Sequence, residues 1–100
     1  MLSLADARRI ARAYLKSIEP EVGLELALLD ESTLERSFGW VFFYNSRSFV
    51  ETTNFSDCLA GNAPLIVSRA DGALHVAGTA FPVEHYIANF LATGDPHGSV

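Results

Sequence analysis

Three histidines, one cysteine, a loop of small residues and a pair of adjacent carboxylates are what this sequence has to offer chemistry. Catalysis would need an activated nucleophile, a positioned acid and base, or a metal assembled from them. His75, His85 and His97 stand far apart, with none of the HxxxH, HxxE or CxxC spacings that bring two ligands to one helix face or one turn. A lone Cys58 leaves no partner for an intramolecular disulfide or a cysteine-based zinc site, and its expected role is a small buried hydrophobe in a reducing compartment. Leu59-Ala60-Gly61-Asn62-Ala63-Pro64 has the small residues of a phosphate-cradling loop but lacks the glycine spacing, the lysine and the following helix. It reads as a tight turn in which Asn62 bonds nearby backbone. Asp30 and Glu31 read as solvated charges, since nothing in the sequence places a perturbing neighbour beside them. The expectation is no enzyme, no metal and no cofactor.

Any other function depends on the elements that hold these side chains. Ser3 to Ile18 sets Leu4, Ala7, Ala11, Tyr14, Leu15 and Ile18 at steps of three and four, the spacing of one helical face. Ser3 with Asp6 forms a short capping box, and Pro20 is expected to stop the helix after Glu19. The near-continuous apolar run Leu24 to Leu29 predicts a partly buried strand, extended to Arg36. Gly39 to Asn45 is aromatic and β-branched, a central strand with Trp40, Phe42 and Tyr44 on one face and Val41 with Phe43 on the other. Residues 46 to 63 read as a long connection with room for one short strand. Pro64 to Arg69, the turn residues Ala70-Asp71-Gly72, and Ala73 to Gly78 predict an antiparallel hairpin. Pro82 opens a last helix with Val83, Tyr86, Ile87, Phe90 and Leu91 as its apolar face, and Gly94 ends it.

The order predicts an α+β fold: an N-terminal helix, an antiparallel meander of about four strands and a C-terminal helix, with the helices mainly on one face of the sheet. One domain spans residues 1 to 94, and residues 95 to 100 are expected to fray. Two helices on one side leave aromatic surface on the other for the long loop, a second copy in a homodimer, or a partner to cover.

Size and charge narrow the function class. A chain of 100 residues, 49% hydrophobic and 19% charged, supports one apolar core and excludes a disordered chain. No run approaches the roughly 20 apolar residues of a membrane span, and Arg8, Arg9 and Arg12 interrupt the amino terminus before a signal-length apolar stretch develops. The expected location is the cytoplasm. Net charge is −5, and from Glu19 onward eleven carboxylates face only Arg36, Arg47 and Arg69. Such a field repels a phosphate backbone and attracts a basic protein, so the expected partner is a protein and neither nucleic acid nor membrane.

Three blocks, Gly39-Trp40-Val41-Phe42-Phe43-Tyr44-Asn45-Ser46, then Leu59-Ala60-Gly61-Asn62-Ala63-Pro64-Leu65-Ile66-Val67, then Gly78-Thr79-Ala80 with Pro82, Glu84, Tyr86 and Ile87, together resemble the immunity protein 35 family over about residues 1 to 92. Ser68 stands where relatives often have Asp, and Val22 to Phe38 carries no family pattern. The resemblance implies a bacterial immunity protein that binds and blocks one cognate polymorphic toxin. It also brings in a second expectation, a chaperone-like holdase, because the family includes a small enterobacterial member of that description. The blocks are mostly apolar or turn-forming and are assigned to the fold. The candidate contacts are therefore Asp30, Glu31, Glu35 and Glu51, with Trp40 and Tyr44 of the aromatic face. Reversing Asp30, Glu31 and Glu35 to Lys is expected to weaken binding and leave the melting temperature nearly unchanged.

Overall fold

The structure is a computed structural model and describes residues 2–54, 56, 58–59 and 62–98. Helix α1 runs from Leu4 to Val22, opened by the expected capping box: the Asp6 N–H donates to Ser3 Oγ at 3.2 Å and the Ser3 N–H to Asp6 Oδ2 at 3.1 Å. It continues past Pro20, contrary to expectation. Proline loses the bond to the carbonyl four residues back and its ring crowds that carbonyl, but Pro20 stands in the last turn, and the Gly23 N–H, donating to the Glu19 carbonyl at 2.8 Å, closes the helix behind it.

The predicted strand Leu24–Arg36 is divided. Strand β1 (Leu26–Leu28) and strand β2 (Leu34–Arg36) flank one turn of 3-10 helix at Asp30–Ser32. Both run antiparallel to the next segment, which bends at Phe43 into β3 (Gly39–Phe42) and β4 (Tyr44–Ser46). Thus β1 pairs with β4 in a two-stranded sheet, and β2 pairs with β3. Where a connection or short strand was expected, helix α2 (Arg47–Thr52) forms. Ser46 caps it, its hydroxyl accepting from the Phe49 N–H at 3.1 Å, and Thr53 ends it with φ +55°. Strand β5 (Leu65–Ser68), strand β6 (Leu74–Val76) and helix α3 (Val83–Thr93) complete the chain.

The main sheet has the order β2-β3-β5-β6, antiparallel throughout. Gly39 is required where β3 meets β5: its φ is +148°, and a Cβ there would lie 2.0 Å from the Val67 carbonyl oxygen. The α+β class and the helix–sheet–helix order are as expected, but the two helices do not share a face. Ala7, Ala11 and Leu15 of α1 pack on Trp40, Phe42, Leu65 and Val67, whereas Tyr86, Ile87 and Phe90 of α3 pack on Val41 and Ile66. The reason is the pleat, which sends alternate residues of β3 and β5 to opposite faces. Both rows are large and apolar, so each needs its own helix.

The segment expected to fray is tied down as far as Gly98. Pro96 is buried, its carbonyl accepts from the Asn89 side chain at 3.1 Å, and the His97 ring lies 2.9 Å from the Val76 carbonyl.

Candidate partner-binding surface

The six candidate contacts occupy three kinds of position. Asp30, at the start of the 3-10 turn, receives Arg8 Nε at 3.1 Å and Arg12 at 3.7 Å; it ties the turn to α1. Glu35 pairs with Arg69 at 3.1 Å, and that guanidinium also donates to the Arg36 carbonyl and lies 4.4 Å over the Trp40 ring. Trp40 itself is 1% exposed, so it belongs to the core and no partner reaches it. Tyr44 is half-buried, and burial pushes its phenol above the ordinary range, with Tyr14 as the lesser cause. Glu31 and Glu51 are exposed and in no ion pair among the described residues.

The sequence reads Asp30 as a solvated charge and Glu35 as a candidate contact, and both are engaged in ion pairs. Their partners come from 22 and 34 residues away, a distance that no local pattern reveals. The triple reversal would therefore place Lys beside Arg8, Arg12 and Arg69, and a nearly unchanged melting temperature is no longer expected. All six arginines of the described chain are paired with carboxylates in this way. The remaining negative charge sits on side chains such as Glu21, Glu31 and Glu51. Glu51 borders two adjoining surface grooves of about 370 and 440 Å³, between α1, β1 and α2 on one side and toward Leu24 and Cys58 on the other.

Of the residues with chemistry to offer, His85 and His97 flank the Tyr86 ring in one surface pocket, while Cys58 lies on the loop beside β4. His75 meets the Phe90 ring edge-on at 5.1 Å, His85 lies on Phe81 at 4.3 Å, and His97 contacts Tyr86 at 5.7 Å. Cys58 is exposed, against the expectation of a buried hydrophobe. Its sulfur is held by the Asn45 amide at 3.5 Å because the loop that carries it lies along β4 and not within the core. Among the described residues no three His, Cys, Asp or Glu side chains lie together as a metal set, and no helix is long and apolar enough to cross a membrane.

Sequence reasoning missed Asn45. It is 7% exposed, and its side-chain oxygen accepts from the Leu59 N–H at 2.7 Å and the Ser46 N–H at 2.8 Å, while its amide nitrogen donates to the Leu59 carbonyl at 3.4 Å. Asn62 donates to the Tyr44 carbonyl from the far end of the same loop. The two asparagines fasten the loop along β4 as a strand would. The available signal was an amide ending an otherwise apolar strand, a group that must be satisfied once buried. Ala60 and Gly61 of the predicted turn lie outside the described residues.

The third sequence block is equally structural. The Tyr86 hydroxyl accepts from the N–H groups of Ala80 and Phe81 at 3.2 and 3.3 Å. Gly78 lies against that ring, where a Cβ would stand 2.5 Å from the hydroxyl. The motif spacing thus encodes the closure of the β6–α3 connection.

The family described as Immunity protein 35 matches over residues 5–89. The uncharacterized protein YrhB of Escherichia coli (strain K12) is 43% identical over 92 residues, covering 90% of this chain and 89% of its own length. No solved structure matches.

Proposed function

The chain belongs to the immunity protein 35 family, and from that premise we propose that it is a non-catalytic inhibitor that binds one cognate bacterial toxin in the cytoplasm and neutralises it. The observation that carries this reading is the family match, which spans nearly all of the folded domain. The charge distribution supports it. With the arginines engaged internally, the surface offers carboxylates to a partner, and an acidic field speeds the encounter with a basic protein. Glu31 and Glu51 are the contacts within this reading that leave the fold untouched; Asp30 and Glu35 contribute through the turn and sheet edge they hold in place.

The test is co-purification of the tagged chain from its native host with neighbouring reading frames expressed. One partner at one-to-one ratio, toxic when expressed alone and harmless with this chain, is the expected result. Many substoichiometric, heat-dependent partners would instead indicate a holdase and overturn the reading.

A further inference from the structure

Strand edges attract other strands, and folded proteins guard them. Three of the four edges here are guarded. On β1 the outward Leu26 N–H is taken by the Glu19 carboxylate at 2.8 Å. On β4 the outward Tyr44 carbonyl is taken by Asn62, and the Asn45-bound loop runs alongside. On β2 the edge carries Glu35 and Arg36, each in an ion pair.

Strand β6 differs. The bonds from the Ser68 N–H to the Ala73 carbonyl and from the Ala77 N–H to the Pro64 carbonyl, both 2.9 Å, set the ladder phase. His75 therefore faces β5, and the N–H and C=O groups of Leu74 and Val76 point outward. Among the described residues only the Val76 carbonyl is engaged, by the His97 ring at 2.9 Å. Val76 is 39% exposed. From Ala73 to Pro82 there is no Asp, Glu, Lys or Arg, so this edge lacks the charged guards of β2.

A pocket of about 420 Å³ adjoins this edge, with Phe81, His85, Tyr86, Pro96 and His97 among its walls. His97 belongs to both, capping the strand and lining the pocket. Phe81 is 55% exposed there. An edge supplying main-chain bonds beside a pocket supplying side-chain selectivity is the arrangement of strand-addition sites.

We infer that the outer edge of β6 accepts an extended, uncharged segment of the protein partner, which pairs with Leu74–Val76, displaces the His97 ring and turns one apolar side chain into the Phe81 pocket. The occupant is a strand because the outward groups are backbone donors and acceptors in β spacing. It is uncharged because a charge against this stretch would be desolvated without a counter-ion. The identity of the partner as a toxin rests on the reading above; the edge does not.

The test begins with a display library of random short peptides selected on the full chain, so that it does not require the toxin. Val76→Pro removes an outward N–H and leaves the bonds to β5 intact, a position where edge strands tolerate proline; Val76→Lys is the second variant should the first fail to fold. Selected peptides should alternate apolar residues, protect the Leu74 and Val76 amides from hydrogen exchange, and bind either folded variant about tenfold more weakly. Failure to select any peptide, or peptides that bind both variants as tightly as wild type, overturns the proposal. So does a dimer of this chain that Val76→Pro dissociates, which would seat a second copy on the edge. A toxin complex that leaves the Leu74 and Val76 amides unprotected overturns the edge while preserving the inhibitor reading.

Discussion

At the scale of single residues, Asn45 does the work of a missing strand. Its amide replaces backbone partners for Leu59 and Ser46, and a buried group left unpaired costs about 1–3 kcal/mol. Asn45→Ala should lower the free energy of unfolding in urea by about that amount, and the Leu59 amide should exchange faster than in wild type. Tyr44 supplies a pH signature. Its phenol is raised above 10, first by burial, so the folded state favours the neutral form. The stability it contributes is fully present below pH 10 and is lost as pH rises through the raised value. The urea midpoint of the wild type should therefore fall more steeply in that window than that of Tyr44→Phe. Equal slopes would remove Tyr44 as the cause. Neither role was legible beforehand: that of Asn45 depends on a loop that meets β4 only after folding, and that of Tyr44 on burial against the core beside Tyr14 of α1.

At the scale of elements, the apolar periodicities were readable and the long-range ties were not. The α1 and α3 faces, apart from Leu4 and Leu91, which are 37% and 60% exposed at the margins of those faces, the β5–β6 hairpin and the two-sided character of β3 all follow from residue spacing. The assignment of each helix to its own face does not, since it depends on how the connections cross the sheet edge. Helix α2 escaped notice because six residues are too few for a period of 3.6 to show. The 3-10 turn illustrates the ion pairs. Exposed pairs contribute about 0–1 kcal/mol each, but reversing Asp30 replaces two attractions to Arg8 and Arg12 with two repulsions. Asp30→Lys is expected to destabilise by about 1 kcal/mol, whereas Glu31→Lys, one residue further on, should stay within about 0.5 kcal/mol of wild type. Thermal unfolding of the two variants side by side checks this. Equal melting temperatures would mean that the turn is held by its backbone alone.

At the scale of the whole molecule, the quoted sequence blocks and the proposed acidic contacts Glu31 and Glu51 are different residues. The quoted blocks supply a close strand crossing at Gly39, a loop fastened by Asn45 and Asn62, and a closure at Gly78 and Tyr86. These are demands of the scaffold and leave a spaced signature. A docking surface leaves none, because net charge and exposed side chains can be arranged in many ways on one fold. Long-range attraction depends on the summed field, so reversal of Glu31 and Glu51 tests it without disturbing an ion pair. The double variant Glu31→Lys, Glu51→Lys changes net charge from −5 by four units. Against a basic toxin its association rate should fall and lose much of its dependence on ionic strength, while dissociation changes little, since steering acts on encounter. Stopped-flow association at two salt concentrations measures both effects. An association rate that is unchanged at low salt would mean that the acidic surface serves solubility alone and that recognition is carried by uncharged contacts, such as the β6 edge proposed above.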